Sequence, residues 1–151
     1  MRRIVRTILN AFGIRRVQEV ATAQEALAQI AAFEPDIAIV DFLMPGMDGL
    51  EFVRTVRAGS VDPLLPIIML TGSSTSHLVV SARDAGVTEF IAKPVKPEAL
   101  RRKINEIALH PRNFIRSGSF FGPDRRRRRE PDQEETVAAE AAPACDMASI
   151  K

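Results

Sequence analysis

Three short strand-like segments in this chain each lead to a polar side chain, and a segment with helical spacing follows each one. Residues 37–40 (IAIV) run into Asp41, residues 66–70 (PIIML) into Thr71, and residues 88–92 (TEFIA) into Lys93. An unbroken apolar run bounded by turn signals is the pattern of a strand buried on both faces, which belongs to a parallel sheet. Strand and helix in strict alternation, joined by short loops, require right-handed crossovers with helices on both faces. Such a sheet binds ligands at the carboxyl ends of its strands. Asp41, Thr71 and Lys93 fall at those ends.

The intervening segments fit this order. Ile4, Ile8 and Phe12 recur at i, i+4 and i+8, with Val5 and Leu9 beside them, and predict an amphipathic first helix that Gly13 ends. This basic stretch is read as a helix of the fold rather than a targeting peptide. Residues 17–21 (VQEVA) read as a strand. Thr22 and Glu25 form a T-x-x-E capping box for a helix that Pro35 stops. Asp48 is the expected N-cap of GLEFVRTVRAG. SSTSHLVVSARDAG reads as a helix closed by Gly86, and Pro97 opens the last one at a position where proline is tolerated.

A length of 151 residues allows one domain plus a tail, assigned here to residues 1–110 and 111–151. The lone cysteine, Cys145, rules out an internal disulfide and fits a reducing, cytoplasmic setting. No apolar stretch approaches the roughly 20 residues of a membrane span. From Pro111 onward the periodicity dissolves, so residues 111–151 are expected to be a mostly disordered tail. The run Arg125, Arg126, Arg127, Arg128 and Arg129 is a candidate anion-binding element, although EPDQEE follows at once and partly neutralises it. Phe114, Phe120 and Phe121 are candidates for docking on the domain or on a partner. His77 is expected to be solvated or capping, and neither it nor Cys145 has a chemical role in this reading.

Together the three rim residues suit phosphoryl chemistry. A carboxylate can attack phosphorus and form an acyl phosphate. Transfer then needs charge stabilisation on the phosphoryl oxygens, which Lys93 and the Thr71 hydroxyl would supply. The segment DFLMPGMDG after the first strand end, the K-P pair at the last, and the intervals between Asp41, Thr71 and Lys93 resemble the receiver domain of bacterial two-component response regulators. The resemblance covers roughly residues 1–110. It implies an α/β, flavodoxin-like, doubly wound parallel sheet in a signalling module that is not an enzyme. It implies Asp41 as phosphoacceptor, Thr71 and Lys93 as phosphoryl-stabilising residues, and Phe90 as the aromatic switch. Mg²⁺ is the implied cofactor, with Asp41 and the Leu43 backbone carbonyl as ligands. A sensor histidine kinase or phosphotransfer protein is the implied donor, with a downstream protein as the output partner rather than nucleic acid or membrane.

The chain departs from that family at its start. The family's first strand and its acidic pair are missing, and no Asp or Glu precedes Glu19. Mg²⁺ affinity is therefore expected to be weak or absent. The missing strand would bury four or five side chains worth roughly 6–15 kcal/mol, as large as a whole domain's margin of about 5–15 kcal/mol. The expectation is that Met1 is an internal methionine. With no second folded domain in view, the leading reading is a stand-alone regulator. The alternatives are a degenerate receiver that binds without phosphorylation, and a basic-tail adaptor.

Overall fold

The computed structural model describes residues 2–59, 62–72 and 76–126. Helix α1 (Arg2–Ala11) ends at Gly13, whose φ of +84° suits a residue without Cβ. Helix α2 (Ala23–Phe33) starts at Thr22, whose hydroxyl accepts the Glu25 N–H at 3.2 Å. The Glu25 carboxylate reaches back to the N–H of Ala21 at 2.8 Å, one residue earlier than a full capping box would have it. Strand β1 (Ala38–Asp41) leads to helix α3 (Gly49–Arg57), where Asp48 and Glu51 do form the reciprocal box. Strand β2 (Ile67–Thr71), helix α4 (Ser76–Ala85), strand β3 (Glu89–Ala92) and helix α5 (Pro97–Leu109) complete the alternation.

The strands pair in parallel in the order β1-β2-β3. Alternation along each strand divides the core in two. Ala38, Val40, Ile67 and Met69 pack with the apolar sides of α2, α3 and α4. Ile37, Ile39, Ile68, Leu70 and Ile91 pack with Val5, Ile8 and Leu9 of α1 and with Leu100, Ile104 and Ile107 of α5. That is the expected doubly wound arrangement.

Two expectations need correction. Residues 17–21 form no strand. A strand exists only through a ladder partner, and in the expected order this segment pairs with the family's first strand, which has no counterpart among the described residues. Other bonds anchor the segment instead: Arg2 Nη1 donates to the Val20 carbonyl at 3.1 Å, and Arg6 pairs with Glu19 at 3.1 Å. The second correction concerns residues 111–126, which are not structureless. Strand β4 (Phe114–Ser117) and strand β5 (Phe120–Pro123) form an antiparallel hairpin, with Gly118 in its turn at φ +57°. Residues 127–151, including Arg127, Arg128, Arg129 and Cys145, lie outside the described residues.

The hairpin is held to the domain by polar and aromatic contacts that no period in the sequence announces. Arg57, at the end of α3, is buried. Its Nε and Nη2 donate to the Gly86 carbonyl at 3.0 and 2.9 Å, and its Nη1 to the carbonyls of Pro63 and Leu65, both at 2.8 Å. The guanidinium also lies 4.8 Å from the centre of the Phe114 ring. Burial pulls its pKa down to about 10, partly offset by Asp62, so it stays charged at neutral pH. Gly86 and Gly122 meet backbone to backbone, since a Cβ on Gly122 would stand 2.9 Å from the Gly86 Cα. Buried Glu89 pairs with Lys103 of α5 at 2.6 Å and with Arg112, ahead of β4, at 3.0 Å.

Candidate functional site

The rim of the sheet brings the expected residues together. Asp41 closes β1 and is buried, 5% exposed. Lys93 follows β3, two strands away, and its side chain spans β2 to reach the carboxylate. Its Nζ lies 2.7 Å from Asp41 Oδ1 and 2.6 Å from Oδ2. Such a charge-assisted contact at short range is among the stronger polar interactions in a protein. Thr71, also buried, ends the strand between them. Its carbonyl accepts the Lys93 N–H at 2.7 Å, which ties the lysine's backbone to the middle strand.

The loop after β1 closes over this carboxylate. The Leu43 N–H donates to Asp41 Oδ1 at 3.2 Å, while the Leu43 side chain is exposed. Behind Asp41, Gly49 begins α3 against the strand. Its N–H bonds the Phe42 carbonyl at 2.9 Å, and a Cβ there would meet the Asp41 carbonyl oxygen at 2.7 Å. Only glycine permits that approach, so Gly49 positions both the helix and the loop. In the sequence the signal for Gly49 is no more than the Asp48-Gly49 pair at a helix start.

Phe90 lies opposite Met69 in the β2–β3 register and is half-buried against the cluster shared with α3 and α4. It is on the sheet face that packs against α3 and α4.

 

His77 is exposed near the start of α4, as expected of a solvated residue. Arg125 and Arg126 follow the hairpin beside α4, while Arg127, Arg128 and Arg129 lie outside the described residues.

The donor set bears on the implied metal. Mg²⁺ demands near-octahedral oxygen ligation. Asp41 is the carboxylate of this rim, and Lys93 spans both of its oxygens. Among the described residues, no group of three or more His, Cys, Asp or Glu side chains is placed to hold a metal ion. The residues described here do not by themselves fit a magnesium ion.

The sequence model of the response regulator receiver domain matches residues 1–105. The chain belongs to the response regulator receiver family. This receiver is 32% identical over 107 residues to the chemotaxis protein CheY-3 of Vibrio cholerae, covering 71% of this chain and 82% of that protein. It is equally similar, at 32%, to the chemotaxis protein CheY of Pseudomonas aeruginosa, covering 71% and 86%. Among solved structures, Vibrio cholerae CheY4 superposes with a TM-score of 0.65 at 33% identity, covering 70% of this chain and 88% of that one. The receiver domain of the Pseudomonas aeruginosa sensor histidine kinase PA1611, solved with magnesium coordinated in its active-site cleft, gives a TM-score of 0.63 at 27% identity, covering 70% and 85%. Among the described residues, no helix of this receiver is long and apolar enough to cross a membrane.

Proposed function

We propose that this receiver is a cytoplasmic, stand-alone phosphorelay module that accepts a phosphoryl group on Asp41 from a sensor histidine kinase or a phosphotransfer protein. The observation that carries the reading is the Lys93 ammonium lying across both Asp41 oxygens at the carboxyl rim of the sheet. One Asp41 oxygen attacks phosphorus in line with the donor's P–N bond. That bond breaks, the electron pair leaves on the donor imidazole, and an acyl phosphate remains on Asp41. Lys93 turns from the carboxylate to the new phosphoryl oxygens, so its charge stabilises the transition state without moving far. The Thr71 hydroxyl supplies a donor from the neighbouring strand end. Phe90 then turns inward and shifts a two-state equilibrium of the face formed by α4, β3 and α5. Val79 and Val80 of α4 are exposed on this element and suit contact with a downstream protein.

The single-carboxylate donor set favours a second reading, a receiver that binds its partner without phosphorylation. Labelling by phosphoramidate, run with and without Mg²⁺, appears in intact-mass spectra as one added phosphoryl group and disappears in Asp41→Asn. Absence of label in the full chain at excess donor, with Mg²⁺ present or absent, would overturn the phosphoacceptor reading. Partner binding unchanged by Asp41→Asn would then support the second one.

A further inference from the structure

We propose that the recess between α4 and the C-terminal hairpin binds a compact oligophosphate, held by the guanidinium groups of Arg83, Arg116, Arg125 and Arg126. This site is separate from the Asp41 rim and does not depend on phosphoryl acceptance there.

The recess has a volume of about 780 Å³. Ligand sites commonly occupy roughly 300–1,000 Å³. Among the described residues four arginines border it, with Asp84 and Asp124 as the only acids in its lining, so four positive charges face two negative ones. Among the described residues both acids make only local ion pairs. Arg83 Nε meets Asp84 Oδ1 at 3.1 Å between adjacent residues, and Arg126 Nε meets Asp124 Oδ1 at 3.1 Å across two. The arginines of both pairs are more than half exposed, so these contacts are weak and exchange readily for a multivalent anion.

The other two arginines are held more firmly. Arg116 lies over the Phe121 ring, 4.9 Å from its centre, which fixes the plane of its fork. Arg125 Nη2 donates to the Val87 carbonyl, yet its Nε is buried with no hydrogen-bond acceptor among the described residues. A buried donor without a partner is uncommon, and it leaves the Arg125 charge poorly compensated from within the protein. Burial lowers the Arg125 pKa, and the like charges of Arg112 and Arg83 add to this, against the opposing Glu89 and Asp84. Arg112 is occupied by Glu89 at 3.0 Å. The recess therefore gathers cations that repel one another, and a ligand with adjacent phosphates relieves that repulsion.

Shape narrows the ligand. Four guanidiniums gathered around one open recess suit a compact multivalent anion better than an extended duplex backbone. Ile115, Phe120 and Pro123 add an apolar wall that can take the organic part of a nucleoside diphosphate. Pyrophosphate groups are shared by nucleotides and inorganic polyphosphate, so both sources are tested.

The experiment is isothermal titration of the full chain with inorganic pyrophosphate and, separately, with ADP. Saturable 1:1 binding is expected for at least one. Tighter binding of ADP identifies a nucleotide, and equal or tighter binding of pyrophosphate identifies the inorganic ion. Arg83→Gln combined with Arg126→Gln should weaken binding at least about ten-fold, as loss of charge-assisted hydrogen bonds implies. Asp84→Asn should tighten it, a gain that damaged folding cannot produce. Arg101→Gln with Arg102→Gln, on exposed α5 positions, should change affinity less than about two-fold. The proposal is overturned if neither anion binds, if the α5 pair weakens binding as much as the recess pair, or if only replacement of Arg127, Arg128 and Arg129 matters. Binding of duplex DNA or of anionic phosphatidylserine vesicles, with neither small anion bound, also overturns it.

Discussion

Replacing Arg57 tests whether a single buried cation joins α3, the start of β2, the end of α4 and the hairpin. Its guanidinium serves three backbone carbonyls, those of Gly86, Pro63 and Leu65. In Arg57→Met these acceptors lose their donor, and an unmatched buried acceptor costs about 1–3 kcal/mol. Three of them would sum to roughly 3–9 kcal/mol. Against this stands the desolvation of the native cation, a cost of several kcal/mol that methionine removes. Loss of the stacking on Phe114 adds about 1 kcal/mol. The expected net loss is about 3 kcal/mol, a large part of a margin of about 5–15 kcal/mol. With a urea m-value of about 1–3 kcal/mol per molar, the unfolding midpoint falls by roughly 1–3 M. Arg57→Lys should lie between the two, because an ammonium keeps the charge but cannot span three carbonyls in one plane. The pH dependence has a definite sign. Burial holds the folded-state pKa down to about 10, below its value in the unfolded chain. The cost of burying the charge is fully present below that value and is relieved as pH rises above it, so this group adds no pH dependence between pH 5 and 8. An Arg57→Met midpoint equal to or above that of the unaltered chain would refute the reasoning, since desolvation relief would then outweigh the carbonyl bonds.

Other substitutions separate the remaining contacts. Gly86→Ala should cost about 1–3 kcal/mol in thermal unfolding, because φ is +94° and the added Cβ would stand 2.9 Å from the Phe121 carbonyl oxygen. Gly118→Asn should cost less than about 1 kcal/mol, because asparagine tolerates a φ of +57° and nothing lies within 4 Å of the new Cβ; an equal loss at both glycines would contradict the docking contact. Glu89→Gln leaves Lys103 and Arg112, both partly exposed, without their carboxylate and should lower stability by about 1–3 kcal/mol, read by urea unfolding. Asp124 accepts the backbone N–H and the guanidinium of Arg126, which lowers its pKa. Its contribution is present above the ordinary carboxylate range and lost as pH falls through the lowered value; carbon-detected NMR should find its midpoint below that of a free aspartate.

Much of the rim was legible because strand ends carry their own signals. An apolar run stopping at Asp41, another at Thr71 and a strand-like segment before Lys93 need only a shared parallel sheet to become neighbours. The segment at 17–21 failed for the converse reason. Its alternation fits a strand, but a strand is a pairing, and the partner is not among the described residues. Residues 114–123 failed differently. Phe114, Phe120 and Phe121 were visible as docking candidates, yet the hairpin depends on Gly118 in the turn and on a surface prepared by Arg57 and Gly86. Arg57 itself looks like an ordinary basic residue in the last turn of a helix, where cations are common.

The sequence by itself determined the alternation of strands and helices, the two-sided apolar core and the order of polar residues along the rim. These follow from local periodicity and from caps such as Asp48 with Glu51, whose forces act within a few residues. Tertiary structure alone decided that Lys93 spans both Asp41 oxygens, that Gly49 lets α3 press on the strand behind them, and that Arg57 is buried under Phe114. These contacts join residues far apart in the chain, and their energies come from desolvation and close approach, which exist only once the surfaces have met.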